Sequence, residues 1–188
     1  MPLNHFSLIA GLYNHVQYNA SESFLKLLSL PPNGRLLDAG GGTGRVAEVL
    51  RLMVKNIVVA DPSYKMLLYA AHRGLATTCA RAENLPFSFD SFERIIMMDA
   101  LHHVLDQSMT IKELWRVLSP GGRLIIVEPD INKFVVKLVA ITEKMLLLHS
   151  HFLAYPEIAS LFINHITNIQ IIHNKSEIWI CVEKVRYL

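Results

Sequence analysis

The sequence predicts an α/β fold: a doubly wound sheet of seven strands, mostly parallel, with helices on both faces and a C-terminal antiparallel hairpin. Three observations predict it. Short apolar runs alternate with segments of helical periodicity from Arg35 onward, and strands buried on both faces read as near-continuous apolar runs. The first run leads into a glycine-rich stretch, LLDAGGGTGR at 36–45, and a helix pattern follows at once, which is how doubly wound sheets build the mouth of their ligand crevice. Two further runs flank N-K-S near the end of the chain, the pattern of a hairpin.

Each element has its own signal. RLLDAG (35–40) reads as the first strand, and TGRVAEVLRLM (43–53) as a helix with Val46, Val49, Leu50 and Met53 at helical spacing. NIVVAD (56–61) is the second strand. SYKMLLYAAHRG (63–74) follows Pro62 as a helix, with Ser63 as N-cap and Gly74 as its stop. ATTCARA (76–82) reads as the third strand, ENLPFSFDSF (83–92) as a loop and RIIMMDA (94–100) as the fourth strand. DQSMTIKELWRVL (106–118) is a helix that the turn SPGG ends, before the fifth strand RLIIVEPD (123–130). Residues 133–165 read as one or two helices broken near Pro156, and ITNIQIIHN (166–174) with SEIWICVEK (176–184) forms the hairpin. The hairpin is expected to leave one antiparallel strand at an edge.

Length and composition fit one domain, 1–188. The chain has 188 residues, 52% of them hydrophobic, and a positive mean hydropathy, so it can bury a sizeable core. A net charge of +2 with dispersed basic residues gives no electrostatic footprint for nucleic acid. Cys79 and Cys181 sit in apolar runs and read as buried free thiols. The start of the chain has no basic stretch ahead of an apolar one, and 134–156 is interrupted by Lys137, Glu143 and Lys144. No signal peptide or transmembrane segment is therefore expected, and the location expected is cytoplasmic.

The glycine loop carries the chemistry. Gly40, Gly42 and Gly44 remove side chains where a ligand can press on the backbone. A dinucleotide site wants G-x-G-x-x-G, and counting from Gly40 the last glycine falls on Arg45. What stands there is D-x-G-x-G-x-G, from Asp38 to Gly44. An acidic residue before the loop repels a pyrophosphate and suits a ligand with a positive end. Asp61, ending the second strand, is placed to accept from two ribose hydroxyls. Adenosine, no phosphate and a cationic amino-acid end together describe S-adenosylmethionine.

Here the sequence resembles the class I S-adenosylmethionine-dependent methyltransferases, close to the ubiquinone/menaquinone-biosynthesis group. The resemblance covers residues 36 to about 130 in four motifs: LLDAGGGTGR, VVADPSYKML, ARAENLPFSFDSFERIIMMDALHHVLD and ELWRVLSPGGRLIIVEP. It implies a Rossmann-like fold. Gly40, Gly42 and Gly44 would lie around the methionine portion, Asp61 on the ribose, and Pro62 and Met66 beside the adenine. The N-terminal FSLIAGLYNHV resembles a segment that folds over the cofactor, within an N-terminal helical region 1–34. One departure stands out. The family places an aspartate on the adenine amino group just before AENLPF, and here that residue is Arg81, which can only donate. A backbone contact at Ala82 survives the change, and Glu83 offers a substitute carboxylate.

Methyl transfer from a sulfonium is an in-line displacement that mainly needs alignment, with a base only where the acceptor must lose a proton. His102, in DALHHVLD, is the candidate catalytic residue, as base or substrate orienter, against a role in packing the loop. Asp99 is expected to hold the cofactor's ammonium group or the loop. Glu128 either faces the acceptor or is a solvated strand-end carboxylate. His149 and His151 read as solvated helix residues. Convergence of Asp99, Glu128 and Asp130 on a metal is the weaker idea, and no metal is expected. Residues 131–165 form a variable capping region, short for a full lid and rich in apolar residues. Ordinary helix packing and an apolar pocket explain that composition equally well.

The function expected is methyl transfer to a small apolar or aromatic organic acceptor, and the sequence leaves a homodimer open. The alternatives are a catalytically silent cofactor-binding scaffold or partner subunit, which Arg81 and the short cap favour, and a nicotinamide-dependent oxidoreductase, which Arg45 disfavours.

Overall fold

The structure is a computed structural model and describes residues 18–31, 33–133, 151–163, 165 and 167–185. In chain order the elements are α1 (Glu22–Leu28), β1 (Arg35–Ala39), α2 (Arg45–Leu50), β2 (Asn56–Asp61), α3 (Tyr64–His72), β3 (Ala76–Cys79) and β4 (Phe92–Met98). A single 3-10 turn (Leu101–His103) precedes α4 (Gln107–Val117), β5 (Leu118–Pro129), α5 (Tyr155–Ser160), β6 (Thr167–Asn174) and β7 (Glu177–Lys184). They build one seven-stranded sheet of order β3-β2-β1-β4-β5-β7-β6. The first five strands are parallel to one another, and β7 is antiparallel to both β5 and β6. The expected mostly parallel, doubly wound sheet with a closing hairpin is therefore present.

Strand parity sorts the core into two layers, because successive side chains leave a strand on opposite faces. Leu36, Val59, Ile96, Ile125 and Trp179 pack beneath Phe24, Leu50 and Leu67 of α1, α2 and α3. Leu37, Ile95, Met97, Leu124 and Ile126 pack beneath Ile111, Leu114, Ile158 and Phe162 on the α4 and α5 side. Helices thus cover both faces. The C-terminal carbonyls of α1 lack helical partners. Arg94 donates to Leu28 and Ser29 at 2.6 Å each, and Arg123 to Leu27 at 3.1 Å. This ties α1 to the amino-terminal half of β5 and to β4.

Several expectations change. The antiparallel strand β7 lies one place in from the edge, and β6 is the edge strand. S-P-G-G does not simply end α4. It is an excursion within β5, where pairing jumps from Phe92–Leu118 to Arg94–Arg123, and Gly121 supplies the positive φ of 76° that the excursion needs. Near Pro156, residues 151–154 are non-helical and α5 begins with the proline in its first turn, where proline's missing N–H costs no helical bond. Cys181 is buried, whereas Cys79 is exposed because β3 is the opposite edge strand. The segment FSLIAGLYNHV, His149 and residues 134–150 of the capping region lie outside the described residues.

Candidate functional site

The strand order reverses between β1 and β4, and the loops leaving the carboxyl ends of these strands form the crevice. Gly40, Gly42 and Gly44 all have positive φ, at 73°, 56° and 75°, a region costly for other residues. Their surroundings differ. A Cβ on Gly44 would lie 2.6 Å from Leu75 and 3.0 Å from Ala70, so this glycine clears a seat for α3. A Cβ on Gly40 would meet Ala100 at 2.7 Å, so it admits the loop after β4. At Gly42 the nearest atoms are Met66 Sδ at 3.6 Å and Asp61 Oδ2 at 3.9 Å, an ordinary contact distance. Of the three glycines first read as ligand-facing, Gly42 alone has no packed neighbour that requires it to be bare.

The loop's amides point inward. Gly40 and Gly41 donate to Ala60 O at 2.7 and 3.3 Å, Gly44 donates to Gly41 O at 2.9 Å, and Gly42 donates to Asp61 Oδ2 at 3.0 Å. A pyrophosphate needs such amides as donors, and these four are already committed.

Asp61 ends β2 nearly buried, and its Oδ1 accepts from the Ser63 amide at 2.7 Å. Ser63 in turn caps α3 by accepting from Met66 N at 3.4 Å. Burial pushes the Asp61 carboxyl up, and the Ser63 and Gly42 amides pull it down. Two amides on a carboxylate leave lone pairs for two further donors. Pro62 is exposed beside Asp61, and Met66 is buried beneath Gly42.

Asp38 is 1% exposed, under Gly41. A Cβ on Gly41 would stand 2.5 Å from the Asp38 carboxyl carbon, so this glycine, which the motif reading passed over, makes room for that carboxyl. Asp38 Oδ2 has no hydrogen-bond partner in the structure. Burial, and then the neighbouring Asp61 charge, push the Asp38 carboxyl up to about 7, against the Ala47 amide and Arg45. An orphaned carboxylate oxygen beside a bare glycine loop fits a cationic ligand and does not fit an anion.

Asp99 follows β4 in a left-handed conformation, φ 50°, with its amide donating to Val127 O at 2.9 Å. Solvent reaches its side chain. Even so, surrounding protein, and then Glu128, hold the carboxyl up at about 6. Tyr18, just ahead of α1, has its phenol pushed well up by burial and by Glu177, Asp38 and Asp99. Sequence patterns gave no signal for Tyr18, which the segment before α1 brings here, or for Glu177, which pairs with Pro129 at the end of β5.

His102 is buried, and its Nδ1 lies 2.5 Å from Glu128 Oε2. Glu128 Oε1 accepts from the amides of Ala100 at 3.1 Å and Leu101 at 2.8 Å. Glu128 is therefore not the solvated strand-end carboxylate that the sequence offered as one reading; its bonds fix the loop after β4. The His102 ring stacks on Phe152, 4.2 Å between centroids, and tilts against His103 at 3.9 Å. The exposed His151 lies outside any helix, with its amide on His102 O at 2.7 Å and its carbonyl accepting from Gln107 Nε2 at 2.7 Å. The second half of the capping region is docked on the loop after β4 by these bonds.

On the other rim, Ala82 is buried in a turn and Arg81 is exposed. Glu83 Oε1 accepts from Leu105 at 2.8 Å and Asp106 at 3.4 Å, so that oxygen is spent on the segment leading into α4. Asp130 binds Asn132, and Glu128 is committed as above. Asp99, Glu128 and Asp130 do not make a ligand set: among the described residues no three His, Cys, Asp or Glu come together to hold a metal.

Comparison with known proteins agrees with this geometry. Residues 37–126 match the family described as a methyltransferase domain. A ubiquinone/menaquinone biosynthesis C-methyltransferase of Geotalea daltonii is 33% identical over 123 residues, 60% of this chain and 52% of that protein. A demethylmenaquinone methyltransferase of Corynebacterium urealyticum is 36% identical over 101 residues, 54% and 44% of the two chains. The chain thus spans about half the length of these relatives. In fold it is similar to a SAM-dependent methyltransferase of Thermotoga maritima, TM-score 0.74 at 23% identity over 95% of this chain and 98% of that one.

Proposed function

We infer, from the match of residues 37–126 to the methyltransferase domain family, that this chain binds S-adenosylmethionine and directs its methyl group to a small apolar or aromatic organic acceptor. The observation that carries the reading is the inward turn of the glycine-loop amides, with Asp61 holding Gly42 at 3.0 Å. The Gly40, Gly41, Gly42 and Gly44 amides are thereby withdrawn from any phosphate, which supports a ligand without phosphates, with Asp61 as the ribose acceptor.

Bound S-adenosylmethionine supplies a methyl already activated on a sulfonium, so the chain's work is placement. The remaining lone pairs of Asp61 accept the ribose hydroxyls. Pro62 and Met66 pack the adenine, and the Ala82 backbone meets its edge. Asp99 and Asp38 offer carboxyl groups to the cationic end. Gly42 presents bare backbone to the ligand, while Gly40 and Gly44 hold the loop's shape. His102, its Nδ1 held by Glu128, orients the acceptor or takes its proton where one must be lost. We place the chain in the cytoplasm, acting without nucleic acid. Among the described residues no helix is long and apolar enough to cross a membrane.

Calorimetry with S-adenosylmethionine and with NAD tests the reading, followed by transfer of a labelled methyl to a panel of quinone precursors, phenols and amines. Binding of the first compound alone, with label in one acceptor class, is expected; binding of NAD alone would overturn it. The second reading, a silent partner subunit, is favoured by one observation: Arg81 stands where an adenine acceptor is expected. Tight cofactor binding with no turnover across the panel would select it.

A further inference from the structure

We propose that Asp38 is protonated in the cofactor-free chain and releases that proton when a cationic ligand fills the crevice, so that cofactor uptake is coupled to proton release. The inference rests on the functional reading above and adds a property to its site.

The geometry carries it. Asp38 is 1% exposed and its Oδ2 has no partner. The Gly41 backbone covers the carboxyl. A second carboxylate, Asp61, lies close enough to raise it. The two cannot be ionised at equal cost, because like charges in a buried site drive one of them neutral. Asp61 has amide donors on both oxygens, from Gly42 and Ser63, and these favour its charge where Asp38 Oδ2 has no donor. Asp38 has one amide, that of Ala47, and the charge of Arg45 to help its own charge, and these do not outweigh its burial and Asp61. The proton therefore sits on Asp38. Among the described residues, the charged and titratable groups facing it are Asp61 from β2, Arg45 from α2 and Tyr18 from the segment before α1. Arg45 is the single base among them, and the carboxyl remains raised in its presence. A cation entering above the loop supplies the missing stabilisation. Asp38 then passes from carboxylic acid to carboxylate, the proton goes to solvent, and the ligand keeps its charge.

The test is calorimetry of S-adenosylmethionine binding in buffers of different ionisation enthalpy. At about pH 6 up to one proton should appear in the buffer per ligand bound, falling towards none at about pH 8.5, with affinity rising as pH rises through about 7. Asp38→Asn should abolish the release. Because Asp38 packs directly under Gly41 in the loop, infrared spectra of the unaltered protein give a second readout that needs no substitution. A protonated-carboxyl stretch should titrate near neutrality without ligand and vanish when ligand binds. Binding with no buffer dependence at about pH 6, or equal release from Asp38→Asn, would overturn the proposal while leaving the methyltransferase reading intact. Failure to bind at any pH would overturn both.

Discussion

Asp61 accepts the Gly42 amide at 3.0 Å and so ties the end of β2 to the loop leaving β1. One side chain thereby sets both the shape of the glycine loop and the position of the acceptor carboxylate. The acidic residue after the second strand and the glycines after the first act as one unit.

Asp61→Ala should therefore do two things. S-adenosylmethionine affinity should fall by about 100-fold, since hydrogen bonds to a charged group contribute about 1.5–3 kcal/mol each. Stability should fall by about 1–3 kcal/mol, because two amides lose their partner. Calorimetry and urea unfolding read the two effects separately. An unchanged dissociation constant would remove Asp61 from the site.

The glycines should separate by substitution. Gly44→Ala forces a Cβ against Leu75 and Ala70 at φ 75°, combining overpacking with left-handed strain, and should cost about 2–4 kcal/mol in urea unfolding. Gly42→Ala, at φ 56° with no contact under 3.6 Å, carries the strain without the clash. It should cost about 1–2 kcal/mol while weakening cofactor binding more than fold. The reverse ranking of stabilities would refute the division of roles between these two glycines.

This division marks where sequence reading stops. Strand alternation, the Ser63 cap, the Gly74 stop and the hairpin turn were legible because each is written within a few consecutive residues. The seat that Gly44 clears was not, because Leu75 and Ala70 reach it only after α3 has packed. Likewise, nothing local says that Glu128 turns inward. Its partners Ala100, Leu101 and His102 come from the loop after β4 and meet it only because β4 and β5 pair in parallel.

Glu128 is consequently expected to be the most sensitive carboxylate at the crevice. Glu128→Ala leaves two buried amides and the His102 ring without their acceptor and should destabilise the fold by about 3–5 kcal/mol. Glu128→Gln keeps one acceptor oxygen for the amides. It should recover most of the stability yet still lower turnover, because an amide nitrogen beside Nδ1 disfavours the protonated Nδ1 that the carboxylate holds. Full turnover in Glu128→Gln would separate His102 from the chemistry and leave it a packing residue.

Two buried groups should tilt the pH dependence of stability in opposite directions. Burial, and then His102, hold the His103 imidazole down at about 3. The unfolded chain therefore binds a proton that the folded chain refuses between about pH 3 and 6.5, and His103 makes stability rise with pH across that window. Asp38, held up at about 7, binds a proton in the folded chain that the unfolded chain has lost above about pH 4, so it makes stability fall with rising pH up to about 7. His103→Gln should then gain about 2 kcal/mol on the unaltered protein at about pH 5 relative to pH 8. Asp38→Asn should gain about 2 kcal/mol at about pH 8 relative to pH 5. Urea unfolding of the three cofactor-free proteins at the two pH values measures both differences, and tilts of the same sign would contradict the burial argument for one of the two groups.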